Sequence, residues 1–148
     1  ATVVTKLLLM CGADVALFGE KDWQQLQVVK QVAGDLAIPT SIIGIPTRRE
    51  ADGLAMSSRN VYLSEADRAR APQIYEAMHQ TARRIHAGAQ PDAAASDAAN
   101  ALAAQGWRVD YIAARDAASL GPARDGHPMR ILAAAWLGTT RLIDNIAV

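Results

Sequence analysis

Residues 2–10 (TVVTKLLLM) carry apolar side chains at helical spacing, and Gly12 offers a left-handed stop just after them. The next apolar segment, residues 14–18 (DVALF), is short and nearly unbroken, the pattern of a strand buried on both faces. Trp23, Leu26, Val29, Val32, Ala33 and Leu36 then recur at intervals of three and four, which predicts a helix. Pro39 punctuates it, and residues 41–45 (SIIGI) read as a second strand closed by Pro46. Strand, helix and strand with so short a crossover predict a right-handed parallel βαβ unit.

Beyond residue 46 the pattern changes. Residues 47–60 (TRREADGLAMSSRN) are polar, contain Gly53 and keep no period, as a long functional loop would. Ser64, with Asp67 three residues later, predicts a capped helix start. Pro72 opens a helix reaching about His86, and Pro91 opens an Ala-rich one that stops at Gly106. Residues 109–113 and 129–137 look like strands, Gly138-Thr-Thr is a turn, and residues 141–144 form the returning hairpin strand. The expected organisation is α/β: residues 1–62 on a parallel sheet, then residues 63–148 as a small α+β domain with an antiparallel sheet. Ala1 stands where a start methionine would, and residues 2–10 already read as mid-helix, so an earlier part is expected to be missing.

Composition narrows the function. Of 148 residues, 51% are apolar and 20% charged, which excludes wholesale disorder. Lys+Arg and Asp+Glu both number 15, so the basic excess of a nucleic-acid binder is missing. No apolar run approaches the roughly 18 residues of a membrane span. A single cysteine, Cys11, permits no internal disulfide and suits a reducing, cytoplasmic setting. Its place on an apolar helix reads as a small core residue.

Two segments could carry chemistry. Gly19-Glu20-Lys21-Asp22 lies where a parallel strand's carboxyl end meets a helix N-terminus, the crevice where open α/β sheets bind ligands and helix N–H groups favour anions. Gly19 permits close backbone approach and Lys21 supplies a point charge suited to phosphate, or else is a solvated lysine. Asp22 and Gln25 also fit an N-cap and its capping-box partner. The second segment is Met56-Ser57-Ser58-Arg59-Asn60, in which two hydroxyls and a guanidinium can grip phosphate oxygens, against the plainer reading of a Ser-rich solvated loop. No G-x-x-x-x-G-K-[ST] loop is present, so a P-loop mode is unsupported. His79 and His86 stand seven apart, about 10.5 Å along a helix, too far to share a metal, and read as solvated. His127 reads as a turn residue, Trp107 and Trp136 as core, and Arg83-Arg84 as a solvated face. No metal ligands are assigned.

Three segments in this order, FGEKDWQQL, GIPTRREADGLAMSSRNVYLS and AAAWLGTTRLIDNI, resemble the pantothenate synthetase (pantoate–β-alanine ligase) family along essentially all 148 residues, as that family's carboxyl-terminal half. The resemblance implies part of a Rossmann-like nucleotidyltransferase domain followed by a small lid domain. It also implies condensation of pantoate with β-alanine at the expense of ATP, through a pantoyl adenylate, releasing pyrophosphate and AMP with Mg2+. Gly19, Glu20, Lys21 and Asp22 resemble the family's ATP-binding GEKD segment, and Gln25 resembles its pantoate-binding glutamine. Arg48 falls at a position whose backbone contacts adenine, and Met56, Ser57, Ser58 and Arg59 resemble the loop that closes over the ATP phosphates. Lys21, Ser57, Ser58 and Arg59 are thus the expected catalytic set. The family's H-x-G-H motif, second pantoate glutamine and acidic magnesium-side residues belong to its amino-terminal half, so these 148 residues alone are expected to be inactive. The full-length protein is expected to be a cytoplasmic homodimer acting on small molecules. The alternatives are a non-catalytic piece carrying one wall of an ATP site and another nucleotidyltransferase.

Overall fold

The 3–4 spacing near the amino terminus forms a helix, α1 (Thr2–Cys11), which Gly12 ends in the left-handed region at φ 58°, its N–H bonding the Leu8 carbonyl at 3.0 Å. The computed structural model describes residues 1–148 and divides into two compact units, Ala1–Thr47 and Arg48–Val148.

In the first unit, β1 (Val15–Gly19) leads through a 3₁₀ turn (Glu20–Asp22) into α2 (Trp23–Asp35) and then β2 (Ser41–Ile45). The two strands pair in parallel from Val15↔Ser41 to Gly19↔Ile45, as the βαβ pattern predicts. Leu8, Val29, Ala33 and Ile38 form the core, with Ala16, Phe18 and Ile42 packed against it. Strand side chains alternate between faces, and α1 and α2 cover only one of them. Val15, Leu17, Ile43 and Ile45 on the other face are exposed, which corrects the expectation of strands buried on both faces. Cys11 is likewise exposed and not core, because α1 buries Leu8 alone.

In the second unit, α3 (Glu65–Arg70), α4 (Gln73–His86) and α5 (Pro91–Ala104) precede an antiparallel sheet of β3 (Arg108–Asp116), β4 (Met129–Leu137) and β5 (Thr140–Ala147), in that order. Ser64 caps α3 as expected, its hydroxyl accepting from the Asp67 N–H at 3.1 Å. Ile74, Met78, Ala95, Leu102, Ile112, Ile131 and Leu137 build the core between α4, α5 and the sheet. Trp107 is buried there, donating through Nε1 to Gln73 at 2.9 Å. Trp136 is a correction: its register in β4, between Arg108 and Arg141, leaves it half-exposed, with Nε1 donating to Asp110 and Arg108 stacked 4.3 Å above its ring. Residues 48–62 fall in this second unit, so the compact division comes ahead of the boundary expected near residues 61–63. The reason is that Leu54 and Ala55, inside the polar loop, are buried in the second unit, Leu54 within its core.

At the end of β3 the Asp116 carboxylate accepts from the Ser119 N–H and Oγ, both at 2.8 Å, from the Ala118 N–H, and from Arg124 at 2.8 Å. The Ser119 backbone bond first, then the Arg124 guanidinium, hold this carboxyl far below the usual carboxylate range. A depressed folded pKa contributes stability above the unfolded value, about 3.9, and loses it as pH falls toward the folded one. Asp116→Asn is therefore expected to unfold more readily than the parent at pH 7. Denaturant titrations from pH 7 to pH 2 are expected to show that gap closing only below about pH 4.

Candidate functional site

Because β1 and β2 are parallel, their carboxyl ends coincide, and there the chain passes through Gly19 into the 3₁₀ turn and α2. Strand ends of this kind are the usual ligand edge of an α/β layer. Nothing would lie within 4 Å of a Cβ on Gly19, so the backbone there faces open space. Glu20 folds back over β2: a Cβ at Gly44 would meet its Oε1 at 3.0 Å and Leu26 Cδ2 at 2.9 Å, so the bare glycine makes room for both. Glu20 and Lys21 are half-buried, whereas Asp22 and Gln25 are exposed. Asp22 occupies the N-cap of α2 without a side-chain capping bond, at φ −96° and ψ 61° rather than in the extended region that aims a cap. The capping box of Asp22 with Gln25 is thus not formed. Gln25 stands on the exposed first turn of α2, on the same approach as the Gly19–Asp22 turn.

In the second unit the polar loop is a tight, anchored structure. Arg49 and Ala55 form an isolated antiparallel bridge, the Glu50 N–H bonds the Leu54 carbonyl at 2.9 Å, and the Met56 N–H bonds the Arg48 carbonyl at 2.9 Å. Past Ala55 the chain turns outward into a 3₁₀ segment, Ser58–Tyr62, that packs on β5. Ser57 Oγ accepts from the Arg59 N–H at 3.2 Å, and Asn60 Nδ2 donates to the Ala55 carbonyl at 3.1 Å. Arg48, Met56, Ser58 and Arg59 are exposed and Ser57 is half-buried. The segment therefore shows two hydroxyls and a guanidinium on a pinned base, a donor set for anionic oxygens.

What pins the base was not singled out in the sequence. Arg49 forks onto the Asp144 carboxylate at 2.6 and 3.0 Å, donates to the carbonyls of Gly53 and Asn145, and lies 4.0 Å above the Tyr75 ring. The Asp144 side chain is 1% exposed. A carboxylate among Leu142, Ile143 and Ile146 of β5 was the available signal, since such a group needs a buried partner. Arg68 holds Asp52 at 2.6 Å, and that bond lowers the Asp52 pKa. His79 packs edge-on against Tyr75, ring centres 4.4 Å apart, so it is part of this packing and not a solvated residue. His86 and His127 are exposed, and Arg83 and Arg84 pair with Glu76 and Asp97 on the surface. No three His, Cys, Asp or Glu side chains gather where they could hold a metal ion. No helix is long and apolar enough to cross a membrane.

A family model described as pantoate-beta-alanine ligase matches residues 1–147. The chain belongs to this family. It is 57% identical over 150 residues to the pantothenate synthetase of Paramagnetospirillum magneticum, a match covering 100% of this chain and 53% of that protein. It is 53% identical to the pantothenate synthetase of Pseudomonas aeruginosa, again over 100% and 53% of the two chains. The structure superposes on the pantothenate synthetase of Thermus thermophilus with a TM-score of 0.90 at 41% identity, over 98% of this chain and 53% of that one. It also matches the pantoate-beta-alanine ligase of Francisella tularensis complexed with beta-gamma ATP and beta-alanine, at a TM-score of 0.74 and 33% identity, over 99% and 48% of the chains. The chain spans about half the length of the relatives it matches. The mixed α/β architecture, a parallel pair of strands with a separate antiparallel three-stranded sheet, is that of the family.

Proposed function

We propose that the protein carrying this chain condenses pantoate with β-alanine to pantothenate, through a pantoyl adenylate formed from ATP. Family membership along the whole chain is the observation that carries this reading. The donor sets at the end of β1 and on the anchored loop support it chemically.

In the first step the pantoate carboxylate attacks the α-phosphorus of ATP, forming an acyl–phosphate bond while the bond to pyrophosphate breaks. In the second step the amine of β-alanine attacks the acyl carbon, and AMP leaves. Neither step needs a covalent enzyme nucleophile. Both need anionic charge neutralised by groups already in position. Lys21 would supply a point charge to the phosphates; Ser57 and Ser58 would donate hydroxyl hydrogen bonds; Arg59 would fork two oxygens. Gly19, Glu20, Asp22, Arg48 and Met56 would shape the nucleotide's surroundings. Gln25, with its amide uncommitted to a cap, would hold pantoate. Mg2+ would arrive with the nucleotide, and the side chains here offer it no ligand cluster. Residues 1–148 alone would not complete the reaction. The full-length protein would be a cytoplasmic homodimer.

Pyrophosphate release by the full-length protein, with pantoate present or omitted, tests the reading. Release that requires pantoate is expected; release indifferent to pantoate would point to another nucleotidyltransferase, and none at all to a non-catalytic role. In the same assay Gln25→Ala is expected to raise the pantoate KM about 5- to 30-fold more than the ATP KM, on the scale of one lost substrate hydrogen bond, about 1–2 kcal/mol. Equal changes in both constants, tracking a lower Tm, would return Gln25 to a structural role.

A further inference from the structure

Arg49 spends its donors inside the protein. Both Nη atoms are committed to the Asp144 carboxylate, Nη1 also to the Gly53 carbonyl at 3.0 Å and Nη2 to the Asn145 carbonyl at 3.2 Å. Its flat face rests on Tyr75 at 4.0 Å, so both Nη atoms and one face of the guanidinium are committed inside the protein. The loop it grips is equally constrained. Gly53 sits at φ 90°, and a Cβ there would come 2.5 Å from Tyr75 Cδ1, so the turn is seated directly on the ring. Ala55 bridges back to Arg49, and its carbonyl holds the Asn60 side chain at 3.1 Å; the Met56 N–H is held by the Arg48 carbonyl at 2.9 Å. The four residues 56–59 thus hang between two bonds that both lead to the Arg49 strand of this small loop. Asp144, at the other end of the fork, is paired with Ala133 in the sheet.

We propose that Arg49, Asp144 and Tyr75 form a clamp that positions the Met56–Arg59 segment for the ATP phosphates, an inference that rests on the ligase reading above. Arg49 is a positioning residue: it acts through Ser57, Ser58 and Arg59 and touches no substrate itself. The physical case is the choice of residue. A buried ion pair gives little more stability than well-packed apolar side chains of the same volume. The fork, the two carbonyls and the ring together fix distance and orientation, which an apolar cluster would leave free to slide. Groups that stabilise developing phosphate charge are sensitive to displacements of about 1 Å, which can cost on the order of 10²-fold in rate. A rigid fork at the base of the segment meets that demand.

Arg49→Lys in the full-length protein tests the clamp, because lysine keeps the charge and loses the fork and the stack. Leu102→Ala, in the core of the same unit and outside the clamp, serves as a control of comparable Tm loss. Both are assayed well below their Tm, by pyrophosphate formation and by amide hydrogen exchange. For Arg49→Lys, exchange across residues 56–60 is expected to accelerate on the order of tenfold while β4 stays protected. Its kcat/KM for ATP is expected to fall on the order of 10- to 10²-fold with the pantoate KM unchanged. Leu102→Ala is expected to show neither effect. Parent-like exchange at 56–60 in Arg49→Lys, or the same changes in Leu102→Ala, overturns the clamp. Parent-like ATP kinetics alongside faster exchange overturns its role toward the phosphates. If the parent forms no pyrophosphate from ATP and pantoate, the ligase reading fails, and the exchange contrast still decides whether Arg49 holds the segment.

Discussion

Lys21→Ala in the full-length protein is expected to lower kcat/KM for pantoate-dependent pyrophosphate release on the order of 10²- to 10³-fold, with Tm and far-ultraviolet dichroism unchanged. The size follows from the charge it would meet. Attack on the α-phosphorus builds charge on the departing pyrophosphate, and a preorganised ammonium in a partly dehydrated site counts for far more than one in water. The structure puts Lys21 half-buried on the short 3₁₀ turn between β1 and α2, a place rigid enough to hold its backbone and open enough to admit a ligand. Stability should be little affected, since Lys21 lies outside the Leu8, Val29, Ala33 and Ile38 core. Lys21→Arg separates charge from shape: the planar guanidinium keeps the charge but cannot reproduce a compact point donor, so only partial recovery is expected. A well-folded Lys21→Ala protein that turns over near the parent rate would remove Lys21 from the chemistry and return it to the solvated surface.

The elements were legible because periodicity and punctuation agreed. Gly12, Pro39, Pro72, Pro91 and Gly138 each mark a boundary within a residue or two of where the structure changes. Ser64 and Asp67 formed the cap their spacing predicts, whereas Asp22 and Gln25, at the same spacing, did not, because α2 is entered from a 3₁₀ turn that swings Asp22 away. Burial was less legible. An unbroken apolar strand such as VALFG is compatible with covering on one face or both, and only the packing of α1 and α2 on a single face decides it. Trp136 and Cys11 misled for a related reason: hydrophobicity reports a preference, while register and helix facing fix the outcome. The two chemical segments could be named from local sequence. Their anchor was legible only by half, because the Asp144 carboxylate stands out among apolar neighbours in β5 but its partner Arg49 is 95 residues away.

That pair sets the largest expected stability loss in the second unit. Asp144→Ala is expected to cost about 3–5 kcal/mol in urea unfolding, the range for removing one partner of a buried, hydrogen-bonded charge pair. The Arg49 side chain is 18% exposed, so the guanidinium left behind cannot recover full hydration, and the Asn145 N–H loses its 2.7 Å bond to the Asp144 carboxylate as well. Replacing both partners together behaves differently. Arg49→Met with Asp144→Leu leaves no orphaned charge and fills most of the volume, so the double variant is expected to regain at least about half of the loss. If the pair's contribution were simple attraction, the double variant would stay as unstable as Asp144→Ala. The double variant also separates stability from positioning, because it restores the core without restoring the fork. A protein that regains its Tm yet keeps weak ATP kinetics would show that the fork sets the loop's geometry, and one that regains both would show that any well-packed anchor suffices.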